Sequence, residues 1–437
     1  MSFSPFPFFR RFDWNSFAHI DGTDWIRATF QPTDYTPLTW RTIPRANIWL
    51  VAYFVMAYLT RRPGTYLLRL LLLPLTILLI IQCTTHYRIE NPVFGWYNWI
   101  RGKRLMALAA VAKATHFAVV PQGTLKIGEE RLGCSDKTSG SVASPGEIPN
   151  DRWLPAGIRD ALEVGIAARG IGWKFAEGVH IPMPRRPLER NAYLKRTSIS
   201  VVRTYLLVDF FDSFLETLPG ITVNSGTIFF PSLPVATRYL VSTALHLGTG
   251  IVVILGLEMW YDIASLVGVG LLRQPPAIWP PMHDEPWHMK SLHEFWSRQW
   301  HQLLRDTFLV MGGYPGRWIA GDLGLLFGTF LASGLFHEVG LYLGGAPIGP
   351  RVLIFFVAQA FGVLIEKLYK SLTGRRVEGW IGAAWVAIFV LGLGQLCTDS
   401  WVSRGAGGRA LVPPTLSPAR RILFPGIWYI WLLLSSR

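Results

Sequence analysis

His337 stands inside an apolar run, Ile319–Leu343, whose only charged residues are Asp322 near its start and the adjoining Glu338. Ionisable side chains deep in an apolar helix are costly and mark functional sites by default. The surrounding sequence is Ala332-Ser-Gly-Leu-Phe-His-Glu-Val-Gly340, so Ser333 lies one helical turn before His337. Gly334 and Gly340 flank the imidazole three residues to either side, and small residues let a neighbouring helix or a ligand approach it. A neutral imidazole is the side chain suited to removing a hydroxyl proton near pH 7, and burial favours that neutral form. The competing reading is a structural His hydrogen-bonded between helices.

A second unusual stretch is Ser291-Leu-His-Glu-Phe-Trp-Ser-Arg-Gln-Trp-His-Gln-Leu-Leu-Arg305. It has no Gly or Pro, and its good helix formers predict a helix over Lys290–Thr307. Lys290, Glu294, Arg298, Arg305 and Asp306 make it too polar to span a bilayer. Phe295, Trp296 and Trp300 make it too aromatic for an ordinary loop. On one helix, Ser297, His301 and Arg305 would share a face, with Trp296 and Trp300 on a neighbouring one. Such a helix belongs at the interface or in a polar cavity between spans; an amphipathic surface helix with an aromatic belt is the plainer alternative.

The elements that must position these residues are membrane helices. Half of the 437 residues are hydrophobic and 16% are charged, well below the roughly 25% charge of soluble domains. Runs nearly free of charge occur at Ile48–Thr60, Tyr66–Gln82, Leu105–Val120, Ser198–Leu218, Val235–Leu257, Ile263–Leu272, Ile319–Leu343, Val352–Leu368, Trp380–Thr398 and Ile422–Leu434. A span takes roughly 20 apolar residues, and the best of these runs give about eight. The expected fold is an all-α multi-pass membrane protein with its helices around an intramembrane reaction chamber. A single soluble core could not bury so many apolar runs.

The net charge of +14 punctuates the spans, as at Arg41, Arg45, Arg61, Arg62, Arg101, Lys103, Arg104, Arg375, Arg376, Arg420 and Arg421. Basic residues spread this way argue against a nucleic-acid surface. They fall on both sides of some spans and leave orientation weakly determined. Met1–Trp40, rich in Phe, Trp and Pro, reads as an interfacial segment without a secretory signal, so an internal span is expected to direct insertion. Residues 1–45 therefore form an N-terminal segment and 46–437 one membrane domain. The domain holds a polar insertion at 122–197, with a Ser/Gly/Pro-rich loop at Ser135–Pro149 and helical spacing at Pro155–Ala168. Cys83, Cys134 and Cys397 are too far apart in sequence to form a metal or redox motif.

Several other residues carry alternatives. His283, His288 and His293 recur every five residues among prolines, which does not suit a helical metal pair, and no metal is expected. His246 and His337 could ligate a haem. Arg203, Asp209 and Asp212 suggest an internal ion pair, with Asp209 a second candidate for the reacting region. Glu258 and Asp262 read as solvated, and Glu366-Lys367 as interfacial. There is no G-x-S-x-G elbow, no P-loop and no Rossmann fingerprint, and Leu341 replaces the acid of an H-x-x-x-D pattern.

Taken together, the block Ser291-Leu292-His293-Glu294-Phe295-Trp296-Ser297-Arg298-Gln299-Trp300-His301-Gln302 and the later Ser333-Gly334-Leu335-Phe336-His337 resemble the membrane-bound O-acyltransferases, in their wax synthase-like branch. Ser297 stands where many members have Gly, and Gln299 where many have Arg. Arg169-Gly170-Ile171-Gly172-Trp173 is similar to a block common in fungal members, and the resemblance runs from about Arg169 to the C-terminus. It implies acyl transfer from an acyl-CoA co-substrate to a hydrophobic alcohol, with no other cofactor. The fungal type implies acetyl transfer to a terpenoid or related secondary metabolite, and other relatives make long-chain wax esters. His337 is the expected general base. His301 and Trp300 are the expected oxyanion donors, and Arg298, Arg305, Arg317, Trp296 and Ser333 the expected substrate- or CoA-contacting residues. The expected location is the endoplasmic reticulum membrane. A non-catalytic transporter or receptor is the rival class, although the paired broken repeats of transporters are missing.

Overall fold

The computed structural model describes residues 35–88, 102–132, 134–135, 155–218, 221, 226–343, 346–405 and 411–435. The N-terminal segment as far as residue 34 and nearly all of the Ser135–Pro149 loop lie outside them. The described chain is overwhelmingly helical: α1 (Trp49–Leu59), α2 (Tyr66–Thr85), α3 (Gly102–Val119), α4 (Ala156–Ile166), α5 (Arg190–Glu216), α6 (Val235–Leu271), α7 (Arg305–Leu343), α8 (Arg351–Thr373), α9 (Gly379–Ser403) and α10 (Phe424–Ser435). Its strands are minimal; Thr36–Pro37 pairs in parallel with Tyr87–Arg88, and Glu129–Arg131 pairs antiparallel with Cys134–Ser135.

Five of these helices, α2, α6, α7, α8 and α9, are long and apolar enough to cross a membrane, and α1 is a shorter apolar helix. The protein is a membrane protein. Two of the expected spans, Val235–Leu257 and Ile263–Leu272, are one continuous helix in α6. Apolar side chains point outward, for example Leu67 and Leu71 on α2, which suits a hydrocarbon surround.

The stretch α7 is a hairpin rather than one rod. Ala320 (φ −139°, ψ 28°) and Gly321 (φ 59°, ψ −141°) leave helical geometry and reverse the chain. Glycines make the close return possible. A Cβ on Gly316 would stand 2.1 Å from the Gly324 carbonyl oxygen, and one on Gly312 would stand 2.1 Å from that of Gly328. The two arms therefore pack backbone to backbone through G-x-x-x-G pairs, with Trp318 and Ile319 exposed beside the tip. The span expected to begin at Ile319 is the second arm of this hairpin, and the first arm begins at Arg305.

Two apolar clusters organise the interior. Trp49, Tyr53, Met56, Ile80, Phe117 and Val164 join α1, α2, α3 and α4. Leu292, Phe295, Val363, Val386 and Phe389 wrap the aromatic block between α8 and α9. A buried ionic cluster links the first group to the hairpin. Asp306 accepts from Lys113 Nζ at 3.4 Å and meets His116 Nδ1 at 3.1 Å. Lys113 also donates to the Ala167 carbonyl at 3.4 Å, bringing the loop after α4 to the same place.

Candidate active site

The imidazole of His337 lies on the second arm of α7, packed against α8. A Cβ on Gly334 would come within 2.8 Å of the Leu353 side chain, so the small residue sets the approach of the two helices. Phe356 of α8 stacks on the imidazole with centroids 4.7 Å apart and planes at 21°. Phe308 of the first arm lies 6.4 Å away. Nδ1 is 2.7 Å from the Ser333 carbonyl oxygen. A carbonyl only accepts, so Nδ1 carries the proton and Nε2 carries the lone pair. Ser333 thus acts on His337 through its backbone. The sequence reading placed Ser333 one turn before His337 and expected it to contact substrate; here its backbone carbonyl holds the imidazole.

Glu338, next in sequence, has a different task. Its carboxylate pairs with Arg404 at 2.5 and 3.1 Å and accepts the Gly349 N–H at 2.6 Å. Both side chains are buried, so the pair ties α7 to α9 and to the turn before α8.

The aromatic block is not the continuous helix expected over Lys290–Thr307. Ser291 Oγ caps Glu294 N at 3.1 Å, and the Glu366 carboxylate accepts the N–H groups of Leu292 (2.6 Å) and His293 (2.9 Å). Glu366 is therefore a buried cap supplied by α8, correcting its interfacial reading. The first turn widens over Phe295–Gln299, where Trp300 N bonds the Phe295 carbonyl at 2.8 Å, and Trp300 then turns extended (φ −75°, ψ 155°). Gln302 Nε2 holds the broken end by donating to the carbonyls of Trp296 and Trp300, each at 3.0 Å. Ser297, His301 and Arg305 consequently do not form one helical face. The block is internal, with Leu292, Phe295 and Gln299 buried, so the surface-helix alternative fails. Trp296 donates to Gln359 of α8 at 3.1 Å and packs on Phe330, Phe355 and Phe356.

The break turns His301 toward a group of polar side chains from distant segments. The Trp300 ring lies 5.3 Å from His301 and 5.5 Å from His283, and the two imidazoles are 6.1 Å apart. Burial, with His283, His337 and Arg169 nearby, pushes His301 down to about 3 and keeps it neutral. His301 Nδ1 and both ring nitrogens of His283 are buried without a hydrogen-bond partner among the described residues. Glu258 of α6 lies 3.5 Å from His283 Nδ1, which places it against the site. Asp262 is also buried, paired with Arg186 at 2.6 and 2.8 Å, correcting its solvated reading.

The three arginines expected at the donor site are not brought together. Arg298 is exposed on the block and Arg305 opens α7. Arg317 pairs with Asp322 at 3.6 Å near the hairpin tip, 12 residues and hence about 18 Å along the helix from Arg305. Asp209 and Asp212 do not face the site. Their partner is Arg420 rather than the exposed Arg203, at 3.6 and 3.0 Å, and they also accept the N–H groups of Ala419, Leu411 and Val412. His246 has both nitrogens engaged, by Thr398 (2.7 Å) and the Val390 carbonyl (2.9 Å), leaving none for a haem. His288 and His293 are exposed and do not converge with the buried His283, and no three-residue metal group occurs among the described residues.

Arg169 is the participant that residue-by-residue reading missed; its only signal was its place in the Arg169–Trp173 block. The loop after α4 turns through Gly170 (φ 67°) and Gly172 (φ 88°), and a Cβ on Gly170 would lie 2.3 Å from the Phe175 ring. Arg169 is thereby directed inward, where Nη1 donates to the carbonyls of Pro281 (2.9 Å) and Pro280 (3.1 Å), just before His283.

Residues 279–358, which include both the aromatic block and His337, match the membrane bound O-acyl transferase family profile. Acetyltransferase spyB of Aspergillus fumigatus is 26% identical over 258 residues, 50% of this chain and 42% of that protein. Acetyltransferase eriL of Hericium erinaceus is 25% identical over 220 residues, 46% of this chain and 54% of its own length. Acyl-CoA–sterol O-acyltransferase 1 of Arabidopsis thaliana is 29% identical over 109 residues, 22% of this chain and 30% of the plant protein. The chain spans about half the length of the fungal relatives it matches. No solved structure matches it. The shared segment is the one that builds the site, and across it the chain is similar to the membrane-bound O-acyl transferase family.

Proposed function

We propose that this protein transfers an acyl group, most simply acetyl from acetyl-CoA, to a hydroxyl of a terpenoid or related secondary metabolite. The observation that carries the reading is the His337 imidazole, whose Nδ1–H is committed to the Ser333 carbonyl and whose Nε2 is left as a base in an aromatic pocket near neutral His301. Nε2 takes the hydroxyl proton as the acceptor oxygen bonds to the thioester carbon. The oxyanion so formed is stabilised by an N–H of His301, with Trp300 beside it. Collapse expels the CoA thiolate, which recovers the proton from His337, leaving ester and free CoA. The fungal relatives named acetyltransferases support the acetyl donor, and the apolar, aromatic surroundings suit a hydrophobic acceptor.

The site is proposed to take acyl-CoA from the cytosolic side of the endoplasmic reticulum. Cysteines placed at the exposed Lys290 and Arg298 should label from the cytosol, and lumenal labelling of both would reverse the orientation. The chemistry is tested by acetyl transfer in microsomes at matched expression, with metabolite profiling of a gene deletion to find the acceptor. His337→Ala should lower turnover by about 10²–10⁴-fold, the usual value of general-base catalysis. His301→Ala should lower kcat with little change in KM for acetyl-CoA. A monodisperse His337→Ala protein with near-normal turnover would defeat the mechanism.

A further inference from the structure

Arg169 is 94% buried, at 6% relative exposure, and only one side of its guanidinium is used by the protein. Nη1 carries the contacts to Pro280 and Pro281 and a longer one to the Tyr261 hydroxyl at 3.5 Å. Nε and Nη2, which form the opposite edge, are buried and have no hydrogen-bond partner among the described residues. Among the described residues no carboxylate pairs with this arginine. An Arg edge of two parallel N–H groups is shaped for two oxygens of one anion, and a buried charge without such a partner is strongly destabilising.

Its surroundings indicate which molecule supplies those oxygens. Its proline contacts, Pro280 and Pro281, lie just before His283, whose ring is 6.1 Å from that of His301. The edge is therefore beside the region where the acyl group and the acceptor must meet. The pantetheine arm of CoA holds its phosphates far from the thioester, so they cannot be the anion bound here. The remaining sources are the acceptor and the acyl group itself.

We infer that the Nε–Nη2 edge of Arg169 binds a substrate carboxylate, making this enzyme selective for a hydroxy acid acceptor or a dicarboxylic acyl group. This rests on the acyl-transfer reading for the identity of the substrates but not for the binding event. Arg169 acts as a specificity residue that sets the distance between the carboxylate and the reacting atoms at His337 and His301.

The experiment is thermal unfolding of the purified full chain in a nonionic detergent, with two matched pairs of probes. One pair is 12-hydroxydodecanoate and 1,12-dodecanediol, and the other is succinyl-CoA and butyryl-CoA. A bidentate charged contact should make one carboxylate probe bind about tenfold to a hundredfold tighter than its neutral partner. Preference in the first pair assigns the carboxylate to the acceptor, and in the second pair to the acyl group. Arg169→Gln should abolish the preference, and Arg169→Lys should retain a small part of it, since a point charge lacks the fork. Equal stabilisation by both members of each pair in the unmodified protein would overturn the inference, whether or not the variants fold. So would a carboxylate preference that survives in Arg169→Gln. A preserved preference in a protein without acyl-transfer activity would refute the proposed function and leave this site standing.

Discussion

Glu338 adjoins the proposed base, and the structure assigns it to architecture rather than chemistry. The decisive perturbation is a cycle of Glu338→Gln, Arg404→Met and the double variant. The two side chains are 7% and 8% exposed and share contacts at 2.5 and 3.1 Å. Removing one member of a buried pair leaves the other charge uncompensated, which typically costs about 3–5 kcal/mol. Arg404→Met should fall in that range, because it strands a carboxylate that retains the Gly349 N–H. Glu338→Gln strands Arg404 but keeps an oxygen for Gly349, so the loss should be smaller. Removing both charges should restore much of the stability, since buried ion pairs are often replaceable by neutral groups. The assay is the thermal midpoint of detergent-extracted protein by size exclusion, read beside acetyl transfer per monodisperse molecule. Both single variants should unfold earlier while their turnover per folded molecule stays within a few-fold of normal. A Glu338→Gln protein that is fully stable yet as inactive as His337→Ala would refute the reasoning and make the carboxylate a participant in the reaction.

Gly324→Leu should prevent the α7 hairpin from closing, because even a Cβ there would stand 1.9 Å from the Gly316 carbonyl oxygen; the expected result is loss of monodisperse protein on extraction. Gly170→Ala should lower both the thermal midpoint and activity, since the residue adopts φ 67° and its Cβ would strike Phe175, displacing Arg169. His301 should impose a pH dependence on stability. Its folded value of about 3 lies below the unfolded value near 6.5, so the unfolded chain binds the extra proton as pH falls. The neutral-His contribution is present above about pH 6.5 and is lost as pH falls toward 3. Midpoints measured across that window should decline less steeply in His301→Asn, and an unchanged slope would contradict the burial of a neutral imidazole.

Much of this was legible in one dimension. Charge-poor runs announce membrane helices because hydrocarbon penalises charge wherever it falls along the chain, and that rule needs no knowledge of neighbours. The block from Ser291 to Gln302 and the His337 helix stood out because their composition was wrong for an ordinary span or loop. The tertiary structure decided what periodicity cannot see. The wide turn at Phe295–Gln299 and the break at Trp300 depend on Glu366 and Gln302 satisfying backbone groups that an uninterrupted helix would have satisfied itself. The reversal at Gly321 follows from glycines on two arms that meet only once folded. Partner choice was equally hidden. Glu338 finds Arg404 66 residues away, Asp212 finds Arg420 208 residues away, and Arg169 reaches carbonyls 111 and 112 residues downstream. Sequence proximity proposes partners within one span, as it did for Arg203 and Asp209. A buried charge instead takes whatever group the packed helices bring to it, because the cost of leaving it unpaired exceeds any local preference.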